Sequence, residues 1–429
     1  MLAEVESEWY YALHRRRFLK YAIGTTAASV AAGSLAWFHH FDGPIFNQCL
    51  LTDIPDELTN HPLMIDAFEG IDFNQLWDSH FHLLGNGLNK GADGQATNIW
   101  LSPKMQSWLS PVQRIQYSFY LDAACLLEPE FADREFVLNL AKMTQQLPDG
   151  IRFMLLAFDY MHNESGKSVQ SESTFYIPNQ YAAKIAKLSK SYEWIASVHP
   201  YRKDALERLE WCKANGARAV KWLPPAMNID PSSSRCDSFF KKLIELDMPL
   251  LTHAGDEKAV HSEQLQKLAN PLLLRRPLDQ GVKIIVAHCA SLGSNDDLDN
   301  PTKGQRTNFE LFSRLMNDSN YQQNCLADIS AINLINRDVA EIKQIVENTD
   351  WHHRLLYASD FPLPGVVPII SSKKLAANDL IDVETIDFLN QVRRYSSWLY
   401  DFLSKRFLRS NGSVLSHQVF HTRRHFLGN

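Results

Sequence analysis

The run Trp77-Asp78-Ser79-His80-Phe81-His82 sets two imidazoles two residues apart. On an extended strand, residues i and i+2 share one face. His80 and His82 can then meet a single ion while Phe81 faces away. Three more apolar runs close in the same way. Pro249-Leu-Leu-Thr-His253-Ala-Gly255 presents His253, Ile284-Ile-Val-Ala-His288 presents His288, and Leu355-Leu-Tyr-Ala-Ser-Asp360-Phe-Pro362 presents Asp360. Neutral imidazole and carboxylate are the ligands of zinc-like ions. The set therefore points to one or two divalent metal ions, zinc by ligand type. Lys221 lies inside a further apolar run, Arg218–Leu223. A buried lysine is costly unless it is paired or modified, so a place beside the metal is expected for it.

What must position these residues is a repeated strand and helix. Eight runs read as short buried parallel strands: Leu76–His80, Arg152–Phe158, Trp194–Val198, Arg218–Leu223, Pro249–His253, Lys283–His288, Asn324–Ile329 and Arg354–Ser359. Amphipathic helices are expected at Pro111–Leu127, Asp204–Asn215, Ser238–Leu246, Ser262–Leu268, Asn308–Asn317, Val339–Glu347 and Val383–Leu403, with Gly216 as a helix C-cap. Eight such repeats predict a closed (β/α)8 barrel over residues 72–404. Ligands at C-terminal strand ends then gather at one mouth, where barrel active sites lie. Two insertions leave that face. Leu83–Gly150 follows the first strand, and Ala290–Thr307, rich in Ser, Asn, Asp and Gly, reads as a mobile loop. Residues 41–71 form a lead-in, and the tail 405–429 has no clear pattern.

The same face takes in other residues. His199 ends the third strand and can line the pocket. Trp222 is either a substrate wall or a packing residue. Asp159 and His162 read as loop residues, and Asp78 either orients a ligand or caps a turn. His352 and His353 fall at the opposite barrel end.

The 429-residue chain carries a net charge of -6 and no long basic run, which excludes nucleic acid as a partner and favours a small-molecule substrate. Its six cysteines are scattered without a CxxC pair, too sparse for a disulfide framework. Residues 1–40 differ from the rest. Arg15-Arg16-Arg17-Phe18-Leu19-Lys20 precedes the uncharged apolar stretch Tyr21–Phe38. This resembles a twin-arginine export signal, with Ser34-Leu35-Ala36 as a cleavage candidate. It implies a periplasmic protein, or one anchored in the membrane by this segment and facing outward. An ordinary N-terminal helix on a cytoplasmic protein is the alternative. Oligomeric state, including a homo-oligomer, stays open.

Asn215-Gly-Ala-Arg-Ala-Val-Lys-Trp-Leu-Pro-Pro225, the strand-five His253, the strand-six His288 and Ser359-Asp360-Phe361-Pro362 together resemble the amidohydrolase superfamily, and within it the aminocarboxymuconate-semialdehyde decarboxylase type. The resemblance implies that His80, His82, His253 and Asp360 bind metal. His288 then binds a second metal or contacts substrate. Lys221 is either carboxylated and bridging or a free ammonium near substrate. A divalent metal brings the pKa of water to roughly 7. Asp360 would take that proton and return it to the leaving group. The reaction implied is hydrolysis of an amide, ester or lactone. A non-oxidative decarboxylase on the same site, or a binding protein that has lost the chemistry, are the alternatives.

Overall fold

Eight strands pair in parallel, each with the next in the chain, in a computed structural model that describes residues 47–257 and 263–427. They are β1 (Trp77–His82), β2 (Arg152–Leu156), β3 (Tyr192–Ala196), β4 (Ala217–Trp222), β5 (Leu250–Thr252), β6 (Ile284–Val286), β7 (Cys325–Asp328) and β8 (Leu355–Leu356). The sheet closes where β8 returns to β1. Ser79 N donates to Tyr357 O at 3.2 Å, Asp360 N to His80 O at 2.9 Å and His82 N to Phe361 O at 3.0 Å. This is the expected (β/α)8 barrel, all eight strands standing where the sequence places them. The export-signal segment lies outside the described residues.

Alternation along the strands divides the core in two. Trp77, Met154, Leu156, Ile195, Ala219, Leu251, Ile285, Leu326 and Leu356 fill the barrel interior. Their sequence neighbours, among them Phe153, Trp194, Val220, Trp222 and Leu250, face the surrounding helices. Those helices follow local signals. Asn308–Asn317 starts at Thr307, whose hydroxyl accepts from Glu310 N, and buries Phe309, Phe312, Leu315 and Met316 along one stripe. Val339–Glu347 starts at Asp338 in the same way and buries Ile342, Ile345 and Val346. Gly216 sits in the left-handed region (φ 89°) after the helix Ala205–Ala214, as a C-cap glycine should.

Three expectations change. The segment 290–307 is an ordered arm: Ser294–Asp296 pairs antiparallel with Gln305–Thr307, and Arg314 grips Asp297 at 2.7 and 3.0 Å. Its many polar residues serve turns and hydrogen bonds. The tail is ordered too. Thr422 brackets the first residue of β1, accepting from Trp77 N (2.9 Å) and donating to Trp77 O (2.5 Å). Phe426 then enters the barrel interior beside Trp77 and closes its floor. The stretch expected as one helix over Val383–Leu403 is two, Thr385–Arg393 and Ser397–Arg406, because Ser396 adopts an extended conformation and caps the second.

The insertion after β1 contains α1 (Pro111–Ala123) and α2 (Ala132–Gln145). Buried Asp133 on α2 anchors the loop above β1 by accepting from the backbone of Asn86 and Gly87 and from Thr97. A disulfide joins Cys49 in the lead-in to Cys125 just after α1, across 76 residues of sequence. The other four cysteines are buried free thiols.

Candidate metal centre

His80 and His82 project from the end of β1 towards Asp360, which follows β8. His80 Nε2 lies 3.4 Å and His82 Nε2 3.1 Å from the same carboxylate oxygen, Oδ1 of Asp360. Ligand atoms of these three residues all fall within 4.8 Å of one another. His288 Nε2 stands 3.9 Å from the other oxygen of Asp360. Lys221 points inward from β4, on the same side as Ala219, and brings its Nζ to 3.2 Å from His80 Nε2. Four of the residues singled out in the sequence, His80, His82, His288 and Asp360, thus surround one point, with Lys221 at its edge.

The other predicted residues behave differently. His253 sets its ring edge-on to His288 at 5.2 Å, but its Nε2 lies 3.1 Å from Gly255 O and its Nδ1 3.4 Å from Glu257. It borders the cluster without turning a nitrogen into it. Trp222 is fully buried on the outer side of β4, against Phe239 and Phe240, with its indole N–H on Val198 O. Strand alternation sends it away from the mouth for the same reason that it sends Lys221 inward. It is a packing residue, not a substrate wall. His199 is buried with both ring nitrogens engaged: Nε2–H donates to Met227 O at 2.7 Å, and Nδ1 accepts from Tyr201 N. It lines no pocket. Asp159 accepts from Arg202 and from His199 N beside it.

A second layer fixes the first. Asp328, the last residue of β7, takes the Nδ1 of His80 at 3.0 Å through one oxygen. Its other oxygen accepts from the backbone N–H groups of His288 (2.9 Å) and Ser330 (3.0 Å) and from the Ser330 hydroxyl. This carboxylate–histidine contact sets the tautomer of His80 and leaves its Nε2 lone pair facing Asp360. Asp78 does similar work for the backbone. It accepts from His80 N, from Ser359 N and Oγ and from Trp398 Nε1 at 2.9 Å, so it ties β1 to β8 beneath the mouth. Asp328 was visible in the sequence as a carboxylate at a strand end, the pattern that picked out Asp360. Ser330 and Glu257 carried no such signal, because loop positions acquire a place at the mouth only through folding.

The rim is strained. His288, Cys289 and Ala290 hold φ of 58°, 50° and 49°, and Asp360 holds 58°. Non-glycine residues there cost roughly 1–3 kcal/mol each and persist only where surrounding contacts enforce them. Here the enforcing contacts are Asp328 on His288 N, Ser291 Oγ on His288 O (2.7 Å), and His80 O on Asp360 N. Gly255 is needed for space: a Cβ would meet Leu292 O at 2.9 Å.

Protonation follows burial. Burial pushes the imidazoles of His80, His253 and His288 below their ordinary value, aided at His80 and His253 by the Lys221 ammonium. Burial lowers Lys221 as well. Asp360 is pushed up by burial, but His80, His288 and His82 outweigh that and hold it well below the usual carboxylate range. Neutral imidazole and ionised carboxylate are the forms a divalent cation requires. Two imidazole nitrogens, a shared carboxylate oxygen and a preset tautomer therefore fit such an ion.

Comparison with solved structures gives several that are similar. An uncharacterised TIM-barrel protein of Bordetella bronchiseptica is 14% identical, with 71% of this chain and 98% of that chain covered and a TM-score of 0.41. The 5-carboxyvanillate decarboxylase of Sphingomonas paucimobilis is 11% identical over 71% and 98%, TM-score 0.41. A probable 2-pyrone-4,6-dicarboxylic acid hydrolase of Acinetobacter baumannii is 13% identical over 71% and 99%, TM-score 0.34. No curated protein matches the chain. The amidohydrolase family model matches residues 77–382, from the first residue of β1 to beyond β8, and the chain belongs to that family of metal-dependent enzymes.

Proposed function

We propose that this enzyme is an exported hydrolase that cleaves an amide, ester or lactone bond in a small molecule. The observation that carries the reading is the convergence of His80, His82 and Asp360 on one point, with His288 and Lys221 beside it. His80, His82 and Asp360 would hold the ion, and their nitrogen and carboxylate donors suit zinc. An ion so placed would supply Lewis acidity towards a carbonyl and towards water. Asp360 accepts the proton of the attacking water on the oxygen that faces His288 and passes it to the leaving group. His288 is neutral and keeps its Nδ1–H on Ser330 O, so its Nε2 accepts a hydrogen bond from the attacking water. Lys221 shares the Nε2 side of His80 and contributes positive charge next to the carbonyl. Asp328 keeps His80 in the right tautomer throughout.

Export is supported by Arg15-Arg16 before an uncharged apolar stretch and by the Cys49–Cys125 disulfide, a bond that persists in oxidising compartments. The testing experiment is metal analysis of the purified chain. About one or two divalent ions per chain are expected. His80→Ala combined with His82→Ala should lose the ion and stay folded. Native folding with no metal in the wild type would sink the reading. Carbon dioxide release from an active substrate would assign decarboxylation to the same residues instead.

A further inference from the structure

A left-handed residue such as Asp360 persists only where the backbone on both sides of it is held. Two buried cations do this from the last two barrel helices. Lys405, on the helix Ser397–Arg406, is fully buried and donates from Nζ to Ala358 O at 2.7 Å, just before Asp360 in the chain. Arg393 ends the helix Thr385–Arg393 and is also buried. It donates to three carbonyls of the segment that follows Asp360: Pro364 O at 3.0 Å, Ile370 O at 3.3 Å and Val366 O at 3.5 Å. Among the described residues no carboxylate pairs with Arg393; its guanidinium lies 4.3 Å over the Tyr400 ring and its donors go to backbone. The charge of Lys405 is met by Asp401 one turn earlier, at 2.7 Å. That carboxylate also accepts from the Tyr357 hydroxyl (3.3 Å) and from Asn333 Nδ2 (3.4 Å). Trp398, Asp401 and Lys405 stand at i, i+3 and i+7, so they share one face of their helix. All three reach the junction of β1 and β8, through Asp78, Tyr357 and Ala358 respectively. A buried ion pair adds little stability over an apolar pair of the same volume. What this one adds is a fixed donor for one particular carbonyl.

We infer that Lys405 and Arg393 are positioning residues for the metal centre: they clamp the backbone on either side of Asp360 and thereby direct its carboxylate at His80 and His82. Neither touches the ion or the substrate, and both act only through Asp360. The inference rests on the metal-dependent reading of the rim, but the clamp belongs to the metal-free chain and can be measured there.

Two measurements on the full chain test it. Zinc affinity is taken from competition with a chromophoric chelator. Hydrogen exchange is followed on the metal-free protein over residues 359–363, with β4 as internal reference. Lys405→Met combined with Asp401→Asn removes both charges together, so no unpaired ion is left in the core. Zinc affinity should then fall about 10- to 100-fold, the range for loss of a group that orients a ligand. Exchange at the Asp360 amide, which donates to His80 O, should speed up about 10-fold while β4 exchanges as in wild type. Arg393→Met should act in the same direction. Arg393→Lys, a point charge that reaches fewer carbonyls, should lie between it and wild type. Unchanged zinc affinity, unchanged exchange over 359–363, or exchange that rises equally in β4 would each overturn the inference, the last by showing a purely structural role. Should the double variant fail to fold, the two Arg393 variants decide it. A wild type that binds no zinc would sink the metal-dependent reading, and the exchange comparison would then decide the clamp by itself.

Discussion

At the rim of the barrel, four residues lie in the left-handed region, His288, Cys289, Ala290 and Asp360, and two of them, His288 and Asp360, aim polar groups at one point. At the floor, Trp77 is bracketed by Thr422, and Phe426 completes an apolar interior with Met154, Leu156 and Leu356. The strands are the same; their two ends hold opposite chemistry. The rim concentrates charge, strain and groups with displaced protonation, all of which cost stability. The floor holds large apolar side chains and the bonds of Thr422 to the Trp77 backbone, which supply it, although the Trp77 indole N–H is buried without a hydrogen-bond partner among the described residues. Chemistry and stability are thus separated along the barrel axis, as they are in barrels generally. In this chain the supply side includes a tail beyond the last barrel helix.

The sharpest way to break this contrast is at Asp360. Asp360→Asn keeps the shape but removes the charge and the proton acceptor. We expect turnover to fall by about 10²- to 10⁴-fold, with metal content reduced and folding stability within about 1 kcal/mol of wild type. Rate assays and thermal melts on one preparation check it. A variant that keeps full activity, or that unfolds outright, would show that rim and floor are not separable in this way.

The converse change lies at Phe426. Phe426→Ala empties part of the barrel interior and should cost about 3–5 kcal/mol. The fraction that remains folded should keep its metal and its turnover, because the nearest ligand lies at the other end of β1. Denaturant melts paired with activity per folded molecule measure both. A loss of turnover without a loss of stability would mean that the tail communicates with the rim.

The contrast also explains what the sequence disclosed. Strands β1 to β8 were legible because buried parallel strands are short apolar runs. His80, His82, His288 and Asp360 were legible because each closes such a run. Trp222 passed as a pocket candidate only because sequence proximity to Lys221 hides the alternation that sends the two to opposite sides. The tail was illegible for a different reason. Thr422 and Phe426 are two residues in a polar stretch, and their partner, Trp77, lies some 345 residues away. The Cys49–Cys125 bridge was hidden likewise, since it follows no local period.

The smallest expected effect tests the floor through pH. His425 packs among Arg424, Lys283 and His353 at the N-terminal strand ends, and its Nε2 accepts from Arg424 Nε at 3.2 Å. Burial, then the positive charges of Arg424 and Lys283, push its pKa down to about 3. The unfolded chain begins to protonate this imidazole near pH 6.5, while the folded chain keeps it neutral. Between pH 7 and pH 5 the unfolded state therefore binds more protons, and stability falls as pH falls. His425→Gln removes the titration and retains a polar side chain of similar length. It should lose about 1–2 kcal/mol less than wild type over that interval. The rim histidines His80, His253 and His288 shift in the same direction but are common to both proteins, so their contribution cancels in the difference. Chemical denaturation of both proteins at pH 7, 6 and 5 measures it. Parallel stability curves would show that protons enter the folded floor as easily as the unfolded chain, and that the tail does not seal it.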